Sequence, residues 1–266
     1  MINQTLYTRG LRESLKTLLI FMAVLAMYFT IIISMYDPVA ANALDEFAKV
    51  MPEMMEMFGM TTASGELVSF LSAYLYGFIV LVFPMIFSIL AANRLMAKHV
   101  DRGSMTFLLS APVKRKTVAI TQIAVLCSGI FALSVFMTVL GIVVCEISFL
   151  GKLAIGSFIL MNLGVLCLQL FIGSICFFCS SFFGDSRYAL GVGAGIPALG
   201  FVLQVLGNAG KELKNIKYAT FFTLFDPKGI VAGEPFAYAG IPMLFAGAAV
   251  IFILSTVIFS KKDLHI

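Results

Sequence analysis

Six apolar stretches recur along the chain, roughly Leu18–Tyr36, Phe70–Asn93, Val118–Val144, Leu153–Phe183, Ala189–Gly207 and Ala239–Phe259. Each is long enough for a helix of about 20 residues, the length that crosses a bilayer core about 30 Å thick. None has an Asp, Glu, Lys, Arg or His in its interior. Shorter polar segments separate them, and no internal repeat is evident. The pattern predicts an all-α polytopic membrane bundle with six transmembrane helices, read as one domain over residues 1–266. The fourth stretch exceeds what a bilayer needs and is expected to tilt or project. Pro84 and Pro197 are expected to kink the second and fifth spans.

The polar segments have patterns of their own. Tyr7, Leu11, Leu15 and Leu18 share one helical face, with Arg9, Arg12 and Lys16 off it. This predicts an amphipathic interface helix over 1–17, resting in the inner headgroup layer before the chain turns into the first span. Residues 37–69 carry Leu44, Phe47, Val50, Met51, Met54, Met55 and Phe58 at helical spacing, interrupted near Pro52, which predicts a surface helix on the outer side. The methionines there fit an apolar helix face better than a soft-metal site, since no His or Cys joins them. Phe221, Phe222, Leu224 and Phe225 in the other long outer segment, 208–238, are expected to dip back against the bundle.

Composition reinforces the membrane reading. Apolar residues make up 61% of the 266 and charged residues 12%, against about half and about a quarter in a soluble domain. A water-soluble enzyme and a disulfide scaffold are poor readings. The five cysteines lie within or at the ends of apolar stretches and read as small buried hydrophobes. The first apolar stretch lacks a small-residue cleavage pattern and is expected to stay as a membrane helix.

Charge orients the bundle. With an even number of spans both termini share a side. If that side is the cytoplasm, the inner segments hold twelve of the eighteen basic residues and four of the fourteen acidic ones. The positive-inside rule then predicts a multi-pass protein of the cell membrane with both termini cytoplasmic.

Missing motifs narrow the chemistry. No G-x-x-x-x-G-K-[ST] loop occurs to cradle a nucleotide, and no H-E-x-x-H pair occurs to hold zinc. The chain is not expected to be an enzyme or to bind a cofactor or metal itself. Uncharged spans weaken a proton relay without excluding cation coordination by backbone and hydroxyl oxygens.

The inner segment 94–117 is the most informative. Gly103 can break the preceding helix, and Ser104 can cap a new one by accepting a backbone N–H bond. Pro112 disfavours helix at the residue before it, so the short helix should end near Ser110. Met105, Leu108 and Leu109 give it an apolar face suited to a cytoplasmic partner. The stretch Asp101-Arg102-Gly103-Ser104-Met105-Thr106-Phe107-Leu108-Leu109-Ser110-Ala111-Pro112-Val113-Lys114-Arg115 resembles one between the second and third spans of type-2 ABC-transporter permeases, the six-span class-V fold. Leu224-Phe225-Asp226-Pro227 and Phe259-Ser260-Lys261-Lys262-Asp263-Leu264 are similar to two further family stretches. Asp101 and Ser104 replace the commoner Glu and Thr, and Gln122 stands where the family often has a basic residue.

The resemblance implies a permease subunit exporting a hydrophobic or amphipathic compound such as a drug, lipid or peptide. It would pair with a second six-span subunit, either a copy or a related chain. A separate ATP-binding cassette subunit would carry ATP and Mg and push on cytoplasmic elements. The coupling residues it implies are Asp101, Arg102, Gly103, Ser104, Met105, Phe107, Leu108 and Pro112, with Asp185 and Arg187 in the turn between the fourth and fifth spans. Gly191 and Gly195 have the small-xxx-small spacing of close helix packing, and the resemblance favours them for the dimer seam. Membrane lipid is a further partner and nucleic acid is not expected. An ATP-independent carrier or channel, or a membrane assembly factor, is the alternative.

Overall fold

The computed structural model describes residues 2–36, 50–51, 67–95, 114–183, 185–208 and 216–261. Its long elements are all helices: α1 (Gln4–Ser34), α2 (Leu67–Tyr74), α3 (Ile79–Leu95), α4 (Arg115–Ser148), α5 (Ile155–Phe182), α6 (Ser186–Asn208), α7 (Pro227–Ala232) and α8 (Pro235–Lys261). Single 3₁₀ turns at Ile216–Ala219 and Phe221–Leu224 precede α7. Five of the helices are long and apolar enough to cross a membrane. The pair α2 and α3 makes a sixth crossing if taken as one span bent by 48°. The protein is therefore all-helical and membrane-embedded.

The described contacts fix the direction of each helix. Asn3 meets Thr121 and Tyr7 meets Ser128 at one end, and Tyr36 meets Phe149 at the other, so α1 and α4 run parallel. Arg94 reaches Glu13 and Thr17 while Phe83 reaches Tyr28, so α3 runs the opposite way. A Cβ at Gly141 would meet Phe158, and one at Gly173 would meet Ile130, which makes α5 antiparallel to α4. Phe171 lies against Gly247 and Phe177 against Phe252, so α8 runs parallel to α5. The residues around Asn3, Leu95, Lys114, Asp185 and Lys261 consequently gather at one end. The other end holds Tyr36, Leu67, Gly151, Asn208 and Pro235.

Helix α5 is the centre of the bundle. Phe158, Met161, Val165, Leu168, Ile172 and Phe177 are all buried on it. By contrast, α1 and α8 bury narrow stripes and leave Leu19, Ile20, Phe245 and Ile253 exposed. An apolar exterior around a central helix suits a bilayer, where lipid rather than water covers the outer residues.

The N-terminal segment differs from the expectation of a separate interface helix over 1–17. It forms one uninterrupted helix with the first span, started by Asn3, whose side chain accepts the Leu6 N–H. Tyr7, Leu11 and Leu18 pack on the core in keeping with their spacing, but Leu15 is 50% exposed. The buried line runs instead through Gly10, Ser14 and Leu25. Gly10 carries no side chain because Val125 of α4 fills that space, and the hydrophobicity of single positions does not reveal this.

The second span departs in another way. Pro84 lies inside the continuous α3, and the sharp bend falls at the turn 75–78 instead. Tyr76 on that turn is fully buried against Phe158. Non-helical backbone at membrane depth is tolerated where protein covers it, and Tyr76 and Leu75 are covered completely. Ser88 donates to the Pro84 carbonyl at 2.9 Å, adding a bond in the turn that follows the proline.

The segment 216–234 folds back on the bundle. Phe222 and Phe225 are buried, and Phe225 sits where a Cβ on Gly164 would be. Asp226 caps α7 by accepting the Lys228 and Gly229 N–H groups at 3.1 and 3.0 Å. Gly233 ends α7 with φ 78°, a left-handed conformation that favours glycine. At Gly240 a Cβ would collide with the Leu224 backbone carbonyl. Gly240→Ala is accordingly expected to destabilise the protein by about 2–4 kcal/mol in a nanodisc thermal melt, in the range of overpacked or disrupted cores. Gly195→Ala, where the added methyl meets open space, should leave the melting midpoint close to that of wild type.

Candidate functional site

The end of the bundle that carries the N-terminus is basic. Among the described residues it has Arg9, Arg12, Lys16, Arg94, Lys114, Arg115, Lys116, Arg187 and Lys261, against Glu13 and Asp185. Glu13 is drawn to Arg9 at 3.1 Å, an exposed i,i+4 pair worth only a few tenths of a kcal/mol. At the opposite end Lys152 and Lys228 stand among Glu146, Asp226 and Glu234.

Three chain segments meet at the basic end. The start of α1 is fastened to α4 by two polar contacts: Asn3 N–H donates to the Thr121 hydroxyl at 3.0 Å, and the Tyr7 and Ser128 hydroxyls lie 2.8 Å apart. The last turn of α3 is fastened to α1 by Arg94, whose Nη1 donates to the Glu13 carbonyl at 2.9 Å and the Thr17 hydroxyl at 3.0 Å. Arg94 also supplies positive charge at a helix C-terminus, where it is favoured. The third segment is the turn before α6. There Asp185 accepts the Arg187 N–H on its side chain at 2.7 Å and the Ala189 N–H on its carbonyl.

Asp185 thus has a definite local role as the N-cap of α6. Arg187 is exposed beside it. The other candidate residues of the inner loop, Asp101, Arg102, Gly103, Ser104, Met105, Phe107, Leu108 and Pro112, lie outside the described residues. The ends flanking that loop, Leu95 and Lys114, are described, and both lie at the basic end.

Gly191 and Gly195 sit on the outer side of α6. A Cβ at either would meet nothing within 4 Å, whereas one at Gly193 would touch Cys176 and Cys179 of α5. The helix therefore uses one glycine to approach its own bundle and leaves the other two facing outward with Tyr188, Leu199 and Val202.

Inside the bundle runs a seam of amides that the scarcity of charge in the spans conceals. Gln122 of α4 and Asn162 and Gln169 of α5 are each at most 2% exposed. Gln169 donates to the Leu81 carbonyl of α3 at 3.0 Å, and Asn162 donates to the Phe158 carbonyl at 2.9 Å. The side-chain oxygens of Gln122 and Gln169 find no hydrogen-bond partner among the described residues, and the Tyr76 hydroxyl faces the Asn162 side chain. Each such group costs about 1–3 kcal/mol when kept from water. The signal in the chain is a pair of amides two helical turns apart, at 162 and 169, in an otherwise apolar stretch. Among the described residues no three His, Cys, Asp or Glu side chains come together as metal ligands.

No family model matches this chain, and no curated protein matches it.

The cap and the charge of Asp185 can be separated. Asp185→Ala should cost about 1 kcal/mol of stability, the usual loss at an N-cap, while Asp185→Asn keeps an acceptor and should melt close to wild type. Arg94→Ala, which frees the last turn of α3 from α1, should speed amide hydrogen exchange over residues 4–17 in mass spectrometry. Residues 240–258 serve as the unaffected reference.

Proposed function

We propose that this chain is the membrane subunit of an ATP-driven transporter of the six-span ABC type, exporting a hydrophobic or amphipathic compound. The observation that carries the reading is a convergence at the basic end. The start of α1, the two ends of the inner loop and the Asp185 turn all lie there. These are the segments that the family resemblance assigns to the ATPase contact. The excess of basic residues at that end favours the cytoplasmic side of the cell membrane for it, and with it both termini.

In this reading the chain burns no fuel. A cytoplasmic ATPase subunit binds ATP and Mg, closes, and shifts the bundle between states by contacting one of them better than the other. Arg94 is placed to pass that displacement from the loop's root into α1. The buried amide seam between α3, α4 and α5 supports a bundle with a second state, because opening there would let water or cargo reach oxygens that now lack partners. A second six-span subunit would seat on the outward glycines of α6. An ion-coupled carrier gains some support from the same amides, but it leaves the inner loop and the basic end without a purpose.

Co-expression with a cognate ATP-binding cassette subunit should give a stable complex with vanadate-sensitive transport in liposomes. Gly103→Leu with Phe107→Ala should lower coupled ATPase activity at least about tenfold, the loss of about 1.4 kcal/mol of coupling. A chain that drives uphill transport alone would remove the proposal. Gly191→Leu with Gly195→Leu should convert dimer to monomer in mass photometry without loss of helical signal.

A further inference from the structure

A second site lies at the end of the bundle opposite the basic one. Between α6, the turn that breaks the second span and the folded-back segment is a cavity of about 510 Å³. Ligand sites commonly measure about 300–1,000 Å³ and combine apolar walls with a few placed polar groups. Phe201 and the exposed Phe236 line it, with the nearly buried Phe222 and Phe225 at its edge. The wall is braced from behind: Phe201 packs edge-on against both Phe78 of the unwound turn and Phe222, at centroid distances of 5.7 and 5.8 Å. Gly77 of that turn borders the cavity, with the fully buried Tyr76 behind it, and broken spans commonly present backbone groups to a ligand.

Among the described residues, the charged side chains of the lining are the carboxylates of Asp226 and Glu234 and the ammonium of Lys228. Asp226 is held in place by the N–H groups of Lys228 and Gly229. Glu234 is exposed at the start of α8. Gln204 is oriented as well, since its carbonyl oxygen accepts from the Thr220 and Thr223 hydroxyls at 3.3 and 3.2 Å. Aromatic faces attract cations through their quadrupoles, more strongly where water is excluded. Carboxylates at the mouth of a low-dielectric recess focus a field that draws the same positive charge. Two carboxylates with no third ligating side chain grouped among the described residues suit an organic cation better than a metal ion.

We propose that this cavity binds a lipophilic organic cation, its apolar body against Phe201, Phe222 and Phe236 and its positive charge beside Glu234 and Asp226. The site is complete within one chain and needs no ATPase, so it stands or falls separately from the transport reading. An ammonium could come from a free amphiphile or from a choline lipid headgroup, and the two sources share this chemistry.

The test uses the full chain in nanodiscs with rhodamine 6G as the probe, read by fluorescence polarisation. Binding should saturate near one dye per chain. Glu234→Gln and Phe236→Ala should each weaken it about fivefold and Glu234→Lys more than about tenfold. Glu234 and Phe236 are exposed, so these variants should keep wild-type helicity and melting. The zwitterionic dye rhodamine B should bind more weakly. Discs of phosphatidylcholine are compared with discs of digalactosyldiacylglycerol, which carries no ammonium. Weaker dye binding in the choline discs assigns the site to lipid headgroups, and equal binding assigns it to a free cation. Absence of saturable binding in both, or wild-type affinity in Glu234→Lys and Phe236→Ala, overturns the proposal.

Discussion

Phenylalanine rings seated on glycines hold this bundle together. In lipid there is no hydrophobic force between helices, because the tails are as apolar as the side chains. Association then depends on dispersion over close, well-fitted surfaces. Here Phe158 lies where Gly141 would carry a Cβ, Phe225 where Gly164 would, Phe171 where Gly247 would and Phe87 beside Gly129. Each ring reaches the neighbouring backbone and joins a different pair of segments: α5 to α4, the folded-back segment to α5, α5 to α8, and α3 to α4. Gly141, Gly164, Gly247 and Gly129 and the rings set against them are two halves of one packing device.

That device explains where polar groups are placed. Helices that approach so closely have little room for water, so a buried amide bonds backbone carbonyls, of its own helix at Asn162 and of a neighbour at Gln169. Gln169 finds Leu81, and its bond ties the central helix to the one span that is broken. The broken span carries the unwound turn, and its Leu81 also lines the cavity beside Phe201. Irregular backbone and open volume lie together where the second span breaks, bordered by α6, the folded-back segment and Phe236 at the start of α8. A bundle that changes shape would be expected to give way along the side where its polar groups are least satisfied.

Much of this is readable from the chain. The third to sixth apolar stretches become helices within about four residues, because an uncharged run of that length has few alternatives in a membrane, while the first is continuous with the N-terminal segment and the second is broken. The inward fold of Phe222 and Phe225 is legible for the same reason, since so many rings in an outer segment need cover. The bend at 75–78 is not: Pro84 carries the stronger local signal, but tertiary burial of Tyr76 decides where the span breaks. Nor does periodicity find the seat of the N-terminal segment. Tyr7, Leu11, Leu15 and Leu18 mark a face, and the true one is set by Gly10 and Ser14, small residues that score poorly on any hydrophobic scale. Of the candidate site residues, Asp185 and Arg187 are placed at the basic end and Gly191 and Gly195 on the open side of α6. The role of Asp185 as a cap depends on a turn whose geometry no residue pattern specifies.

The paired helices α1 and α4 have a mechanical consequence. At 31 and 34 residues they extend about 47 and 51 Å, well beyond a hydrocarbon core of about 30 Å. Fastened side by side near one tip, and packed again through Tyr36 and Phe149 near the other, they form a doubled strut. Two rods joined along their length resist buckling far better than either does alone. A load applied to the overhanging tips would therefore travel the full thickness of the membrane as a shift of the whole strut, with little lost to curvature on the way.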